Sequence, residues 1–371
     1  MAVPITTLGR WRNVIKSFAT LGMRKPISPT KYKGQLYKWQ STLRCGLKPR
    51  GPVRNMDMKS ILSRISLVAI AAGLKENNTP ISEREQAATD ELTLVIKRSI
   101  LAKMKGEFEK AEQLCHEALA MLVPLKREKV FSAEKLLQVT VYVYDVMANL
   151  ALAQGEMDKA ETMFKETLKG LLQQGMQQDA NAVVDISLKL AMIYASQGNE
   201  EQAMQGYKFC IDTQKNKMSG GELDESTEED TKALLGLSMD CYSRFLLSRE
   251  YYTEAEEFLT NALDIAQSVF DENDTQLAAL YSDLANVKSM LGKNDAALSN
   301  IKTALDIAKR SDSPIEAVLH CNLGNICLNR GEAKDAQSHC ARALKLAKKL
   351  KYKEVILQAN ECLKEAKDMR K

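Results

Sequence analysis

The residues best equipped for chemistry in this 371-residue chain are three histidines, His116, His320 and His339, and eight cysteines. Two histidines stand directly before cysteines, as His320-Cys321 and His339-Cys340, with Cys327 between them. Imidazole and thiolate together are the donor set of a tetrahedral zinc site. The spacing argues against that reading, because no Cys-x-x-Cys pair occurs. Cys327 and Cys340 also fall on helix faces where apolar residues recur, and cysteine there packs as a small hydrophobe. With no tight framework among them, the eight cysteines predict reduced thiols rather than a disulfide scaffold. Gly220-Gly221 runs into acids that would repel a phosphate, and neither a nucleophile elbow nor a kinase signature occurs. The expectation is a chain that is not an enzyme: no catalytic residue, no cofactor and no metal.

A second set of residues suits binding instead. Tyr142, Asp145 and Asn149; Asp185 and Leu188; Asp240 and Arg244; Ser282, Asp283 and Asn286; and Cys321, Asn322 and Asn325 precede a recurring turn by about 13, 10, 6 or 3 positions. That spacing keeps each group on one face of a helix. Aligned amides and carboxylates can hold an extended backbone or a short helix through paired hydrogen bonds. The plain alternative at each position is a solvated helix face. Asn149, Asn286 and Asn325 share one register position, and asparagine is a mediocre helix former, so its recurrence there favours binding.

The elements that position these residues repeat. An alanine returns at Ala111, Ala160, Ala203, Ala255, Ala297 and Ala336. Five residues ahead of it stands a turn residue: Gly106, Gly155, Gly198, Gly292 and Gly331, with Glu250 in the fourth copy. Glycine ends a helix readily because it accepts the left-handed backbone, and the alanine then lets two antiparallel helices approach closely. Tyr144, Met147, Ala148 and Ala151, then Leu190, Ala191 and Tyr194, form buried stripes that one hairpin cannot cover alone. Neighbours must stack, which predicts an all-α solenoid of about six helical hairpins. The alanines are 49, 43, 52, 42 and 39 residues apart, so either the helices are long or loops are inserted. The largest gap holds Lys217 to Glu222, with two adjacent glycines that predict a mobile loop, before an acidic helix start at Asp224 to Asp230. Glu354 to Met369 predicts a capping helix, with Val355, Ala359, Leu363 and Ala366 inward.

The front of the chain differs in kind. Residues 1–75 carry 15 Lys or Arg against one acid, Asp57, while the remainder holds 37 basic and 47 acidic residues. The net +4 therefore hides two opposite halves. A basic, acid-poor leader with Leu8, Trp11, Val14, Ile15, Phe18 and Leu21 at roughly helical spacing reads as a mitochondrial transit peptide. A basic arm for nucleic acid or anionic lipid and a disordered tail are the alternatives, and without an RNA-binding signature the reading is no nucleic acid. Ile65–Leu74 is uncharged but short of the roughly 20 residues of a spanning helix, which leaves a buried or interfacial helix and a membrane anchor both open. The expected organisation is a transit or disordered leader over 1–59, a hydrophobic candidate anchor over 60–75, a linker over 76–90 and a solenoid with its capping helix over 91–371.

The six copies resemble tetratricopeptide repeats. More narrowly, Tyr142-Val143-Tyr144-Asp145-Val146-Met147-Ala148-Asn149-Leu150-Ala151 is similar to the mitochondrial tetratricopeptide repeat protein 19 family. So are Asp185-Ile186-Ser187-Leu188-Lys189-Leu190-Ala191, Gly206-Tyr207-Lys208-Phe209-Cys210-Ile211 and Ser282-Asp283-Leu284-Ala285. The resemblance covers roughly residues 90–350. It implies a protein of the mitochondrial inner membrane whose partners are subunits of respiratory complex III, including the Rieske iron–sulfur protein. It further implies support of complex III assembly and maintenance and clearance of Rieske fragments, with no catalytic residues to carry over. A cytosolic scaffold or cargo adaptor similar to kinesin light chain repeats is the alternative.

Overall fold

The computed structural model describes residues 82–370, apart from Glu222 and Asp312. The expected leader, the hydrophobic segment and the first part of the linker lie outside them. Among the described residues there are thirteen helices and no strand. They run in chain order as α1 Glu83–Lys105, α2 Phe108–Arg127, α3 Ala133–Gln154, α4 Met157–Gln173, α5 Asn181–Gln197, α6 Glu200–Gly220 and α7 Glu225–Ser248. There follow α8 Tyr252–Val269, α9 Thr275–Met290, α10 Asn294–Arg310, α11 Glu316–Asn329, α12 Ala333–Leu350 and α13 Lys353–Asp368. Consecutive helices pair as six hairpins, each second helix packs on the next first helix, and α13 closes the end against α11 and α12. This is the tetratricopeptide-type solenoid.

The recurring alanine makes the hairpins tight. All six copies of it are fully buried, and a larger side chain at any of them would push the paired helices apart. The turn glycines adopt φ of 72–80°, and Glu250 is forced to φ 65° in their place. A non-glycine residue in that region is disfavoured by roughly 1–2 kcal/mol. Glu250→Gly is therefore expected to stabilise the chain by about 1 kcal/mol, read as a raised midpoint in urea unfolding. An unchanged or lowered midpoint would show that the turn tolerates the side chain.

Four of the six first helices carry side-chain caps. The Ser82, Ser132, Asp224 and Asp274 side chains accept backbone N–H groups at the starts of α1, α3, α7 and α9. The Ser82 cap explains a difference from the sequence reading: α1 begins at Glu83, inside the stretch expected to be linker. Its first turn lacks an apolar stripe but holds Glu83 and Glu85, which favour a helix N-terminus. Helix extension rather than a long loop fills the widest gap between copies. α6 spans 21 residues, through Gly220, and α7 spans 24.

Four of the five junctions between copies are also tied by an ion pair beside the turn. Lys159 reaches Glu112 at 2.5 Å, Arg249 reaches Glu200 at 3.0 Å, Lys293 reaches Glu256 at 2.6 Å and Arg330 reaches Asp295 at 2.6 Å. In every case the basic residue lies within four positions of its turn and the acid lies early in the preceding second helix. Such surface pairs contribute little stability each and weaken at high salt.

At the C-terminal end Val355, Ala359, Cys362 and Ala366 form the buried face of α13, and Leu363 is half-buried. One expectation is corrected here: Cys340 of α12 and Cys362 of α13 are joined as a disulfide, with Cα atoms 6.2 Å apart. Facing positions on antiparallel helices bring together cysteines 22 residues apart, a pairing that no close sequence framework announces. Cys115, Cys210, Cys241, Cys321 and Cys327 are free thiols.

Candidate peptide groove

The first helices approach one another directly, α1 with α3, α5 with α7, α9 with α11, and α11 with α13, whereas no two second helices come as close. They therefore line the inner side of the stack. Every residue singled out from the turn register lies on these helices, and they divide into two groups by burial.

The carboxylates are buried. Asp145 accepts the Asn149 Nδ2 at 3.0 Å, while the same amide donates to the Asp145 carbonyl at 2.8 Å. Burial pushes the Asp145 carboxyl above its ordinary range, and Lys189 and Lys103 pull it back. Asp185 holds the Lys189 Nζ at 2.7 Å, and that ammonium sits 5.5 Å from the centre of the Phe164 ring. Burial lowers Lys189, but Asp185 and Asp145 more than compensate and keep it charged. Lys103 lacks so close a partner, and burial followed by repulsion from Lys189 brings its pKa down.

A triad joins the fourth and fifth copies. Arg244 donates from Nε to Asp240 at 3.0 Å on its own helix, and its Nη2 lies 2.9 Å from Asp283 on α9. The second contact is an ion pair whose angles are not those of a hydrogen bond, leaving Asp283 Oδ2 without one. Burial raises the Asp283 carboxyl to about 6, against the pull of Arg244. Arg244 itself is lowered by burial but raised further by Asp240 and Asp283, so it stays charged. Between α11 and α9, Asn322 donates to the Ser282 hydroxyl at 2.9 Å. Cys321 and Leu188 are buried.

The remaining groove residues are more open. Asn286 is half-buried and Asn325 exposed, and neither bonds to another described residue. The shared register position thus has two outcomes, since Asn149 turns its amide onto Asp145 while Asn286 and Asn325 leave theirs available. Tyr142 is half-buried, and burial raises its phenol to about 12, so it stays neutral and able to donate. It borders a mainly apolar cavity of about 140 Å³ between α1 and α3, lined also by Thr89, Leu92, Thr93, Ile96, Phe131 and Val139, with Lys97 beside it.

Lys103, Lys189 and this cavity were absent from the sequence reading. The same offsets counted back from Gly106 mark Thr93, Ile96 and Lys103, so applying the register to the first copy would have found that end of the groove. Lys189 stands one position off the stripe and gave no such signal.

His320 and His339, weighed in the sequence for a zinc site and set aside, pair with each other near the solenoid's C-terminal end. Their Nδ1 atoms are 3.3 Å apart and their rings stack at 5.4 Å. His320 Nε2 lies 3.4 Å from Glu316, which Arg342 also contacts at 2.9 Å. Burial, then Arg342 and His339, lowers the His320 imidazole to about 4, so it is neutral at physiological pH.

Stacked helical hairpins with a residue-lined inner face define a tetratricopeptide repeat protein, a class of protein-binding scaffold that is generally non-catalytic. The family model described as tetratricopeptide repeat matches residues 237–310. The human protein "Tetratricopeptide repeat protein 19, mitochondrial" is 36% identical over 277 residues, covering 73% of this chain and 70% of its own length. Its rat counterpart is 34% identical over 307 residues, 81% of each chain, and the Drosophila melanogaster homologue is 28% identical over 286 residues, 77% of this chain and 74% of its own. The chain belongs to the mitochondrial tetratricopeptide repeat protein 19 family. Among solved structures, the apo form of RapI superposes with a TM-score of 0.51 at 13% identity, over 76% of this chain and 97% of that one, a likeness of fold alone.

Proposed function

We propose that this chain is a non-enzymatic adaptor of the mitochondrial inner membrane that holds protein segments in the groove of its first helices. In that role it supports assembly and maintenance of respiratory complex III, including turnover of fragments of the Rieske iron–sulfur subunit. The groove carries the reading. Its wall is stiffened by buried pairs at Asp145, Asp185, Asp240, Arg244, Asp283 and Asn322. Tyr142, Asn286 and Asn325 keep polar atoms for a bound backbone, and Asn149 retains its amide oxygen.

The ligand this favours is a segment with one apolar side chain near the end that meets α1. A cavity of about 140 Å³ suits such an anchor, as apolar cavities of about 150 Å³ hold benzene. Asparagine amides can pair with both the N–H and the carbonyl of a peptide unit, giving affinity without demanding one side-chain sequence. Family membership supports the mitochondrial setting of the reading.

Import of the full chain into isolated mitochondria depleted of the endogenous protein, followed by native gels, tests it. The expected result is a shortened, protease-protected form that co-migrates with complex III and reduces Rieske fragments. Asn286→Ala/Asn325→Ala should import normally but weaken co-migration by about tenfold, the scale of losing two modest hydrogen bonds. Wild-type chain that never meets complex III would sink the reading. A groove variant as active as wild type would move the binding surface elsewhere.

A further inference from the structure

The two ends of the solenoid are finished differently. At the C-terminal end α13 covers the last hairpin and turns charges of both signs outward, Lys353, Glu354, Glu361, Lys364, Glu365 and Lys367, around a single exposed leucine, Leu357. At the other end α1 buries Leu92, Val95, Ile96, Ser99 and Ala102 against its neighbours and shows an uncapped opposite face among the described residues. Leu94, Leu101 and Met104 are 58%, 51% and 76% exposed there. Lys97, Arg98 and Lys105 are exposed beside them.

These six residues stand at positions i, i+3, i+4, i+7, i+10 and i+11, which is one face of a helix. Long apolar side chains flanked by cations match a surface layer of anionic lipid headgroups, where the apolar groups enter the acyl boundary and the cations meet phosphates. Acids on α1 are confined to its first half, at Glu83, Glu85, Asp90 and Glu91, so the cationic half is the one near the turn at Gly106.

We propose that this face of α1 docks on an anionic membrane surface. The proposal rests on the inner-membrane reading above and sharpens it by naming the part of the repeat domain that meets lipid. Chain continuity favours lipid over another protein as the occupant. Nine residue steps separate Leu74, the end of the candidate anchor, from Glu83, and an extended chain covers at most about 32 Å in that length. A bilayer that holds Ile65–Leu74 is therefore within reach of α1.

Methionine oxidation reads this contact directly, because a side chain buried in lipid is shielded from peroxide. The full chain would be mixed with vesicles of phosphatidylcholine, with or without about 30% phosphatidylglycerol, an anionic content well above neutral membranes. Flotation then separates bound chain, and each methionine is followed by peptide mass spectrometry. Met290 and Met369, 59% and 50% exposed, serve as internal controls. On anionic vesicles Met104 oxidation should slow at least about fivefold while both controls keep their rates. Arg98→Glu/Lys105→Glu, both at exposed positions, should abolish that protection with the urea midpoint unchanged.

A chain that floats while Met104 oxidises as fast as in solution would overturn the docking of α1 and leave membrane anchoring intact. Failure to float on either vesicle would remove the membrane reading and this proposal together, with complex III association still judged by the native gel. Protection without vesicles that grows with protein concentration would assign the face to a second copy. Protection without vesicles at every dilution would assign it to this chain's own N-terminal segment. Both results overturn the proposal.

Discussion

Replacing Arg244 with leucine is expected to destabilise the solenoid by about 3–5 kcal/mol, the usual effect of leaving a buried charge without its partner. The guanidinium side chain is 23% exposed and lies between Asp240 and Asp283, which are 10% and 12% exposed. Its removal strands two carboxylates in a low-dielectric wall, and one of them spans the gap between hairpins. Urea unfolding at pH 7.5 would measure the loss. A change under about 1 kcal/mol would mean that water already solvates the triad. Leucine at all three positions should recover most of the stability, because a buried ion cluster can be exchanged for packed apolar groups at little net effect.

The pH dependence supplies an independent check. Burial holds the Asp283 carboxyl up at about 6, above its unfolded value. For an acid raised on folding, the favourable contribution is fully present below the unfolded pKa and is lost as pH rises through the folded one. Without Arg244 the folded value climbs further, so the deficit of Arg244→Leu should be largest at pH 7.5 and shrink toward pH 5. A deficit independent of pH would point to lost packing of the Arg244 stem rather than to stranded charge.

The same triad explains which features were legible in the sequence. The turn residue and the buried alanine could be read because every copy imposes the same steric demand, and an alanine that must touch a neighbouring helix recurs whatever surrounds it. Burial of Asp145, Asp185, Asp240 and Asp283 was not legible. A carboxylate on the inner face of a first helix reads as solvated, and only packing between neighbouring hairpins takes it out of water. Lys189 illustrates the converse. A lysine one position off the groove stripe looks like surface, yet it is drawn in by Asp185 one helical turn earlier and seated over Phe164 from the second helix of the preceding hairpin. The start of α1 was missed because a single serine cap, rather than apolar periodicity, sets it.

Tertiary proximity also decided the cysteines, with a consequence at Gly324. This glycine of α11 carries no unusual backbone angle and gave no signal in the sequence. In the fold a Cβ added to it would lie 2.1 Å from the Cys340 sulfur, 3.1 Å from the Cys362 sulfur and 3.4 Å from the Ala336 carbonyl. Neither sulfur is the free end of a flexible chain, since the bridge ties it to α12 and α13 together. Gly324→Ala should therefore force the last two helices away from α11, destabilising the chain by about 3 kcal/mol. Cys340→Ala alone should cost about as much by removing the bridge. In the Gly324→Ala background, however, the same cysteine substitution also removes the clashing atom. The double variant is then expected to lose only about 4 kcal/mol, a coupling of roughly 2 kcal/mol in the cycle. Urea unfolding of the oxidised chain, its bridge verified by resistance of Cys340 and Cys362 to alkylation, would measure all three variants. Strictly additive losses would mean that α12 and α13 stand far enough from α11 to admit the methyl group, and that Gly324 is not what lets the bridge sit against the last first helix.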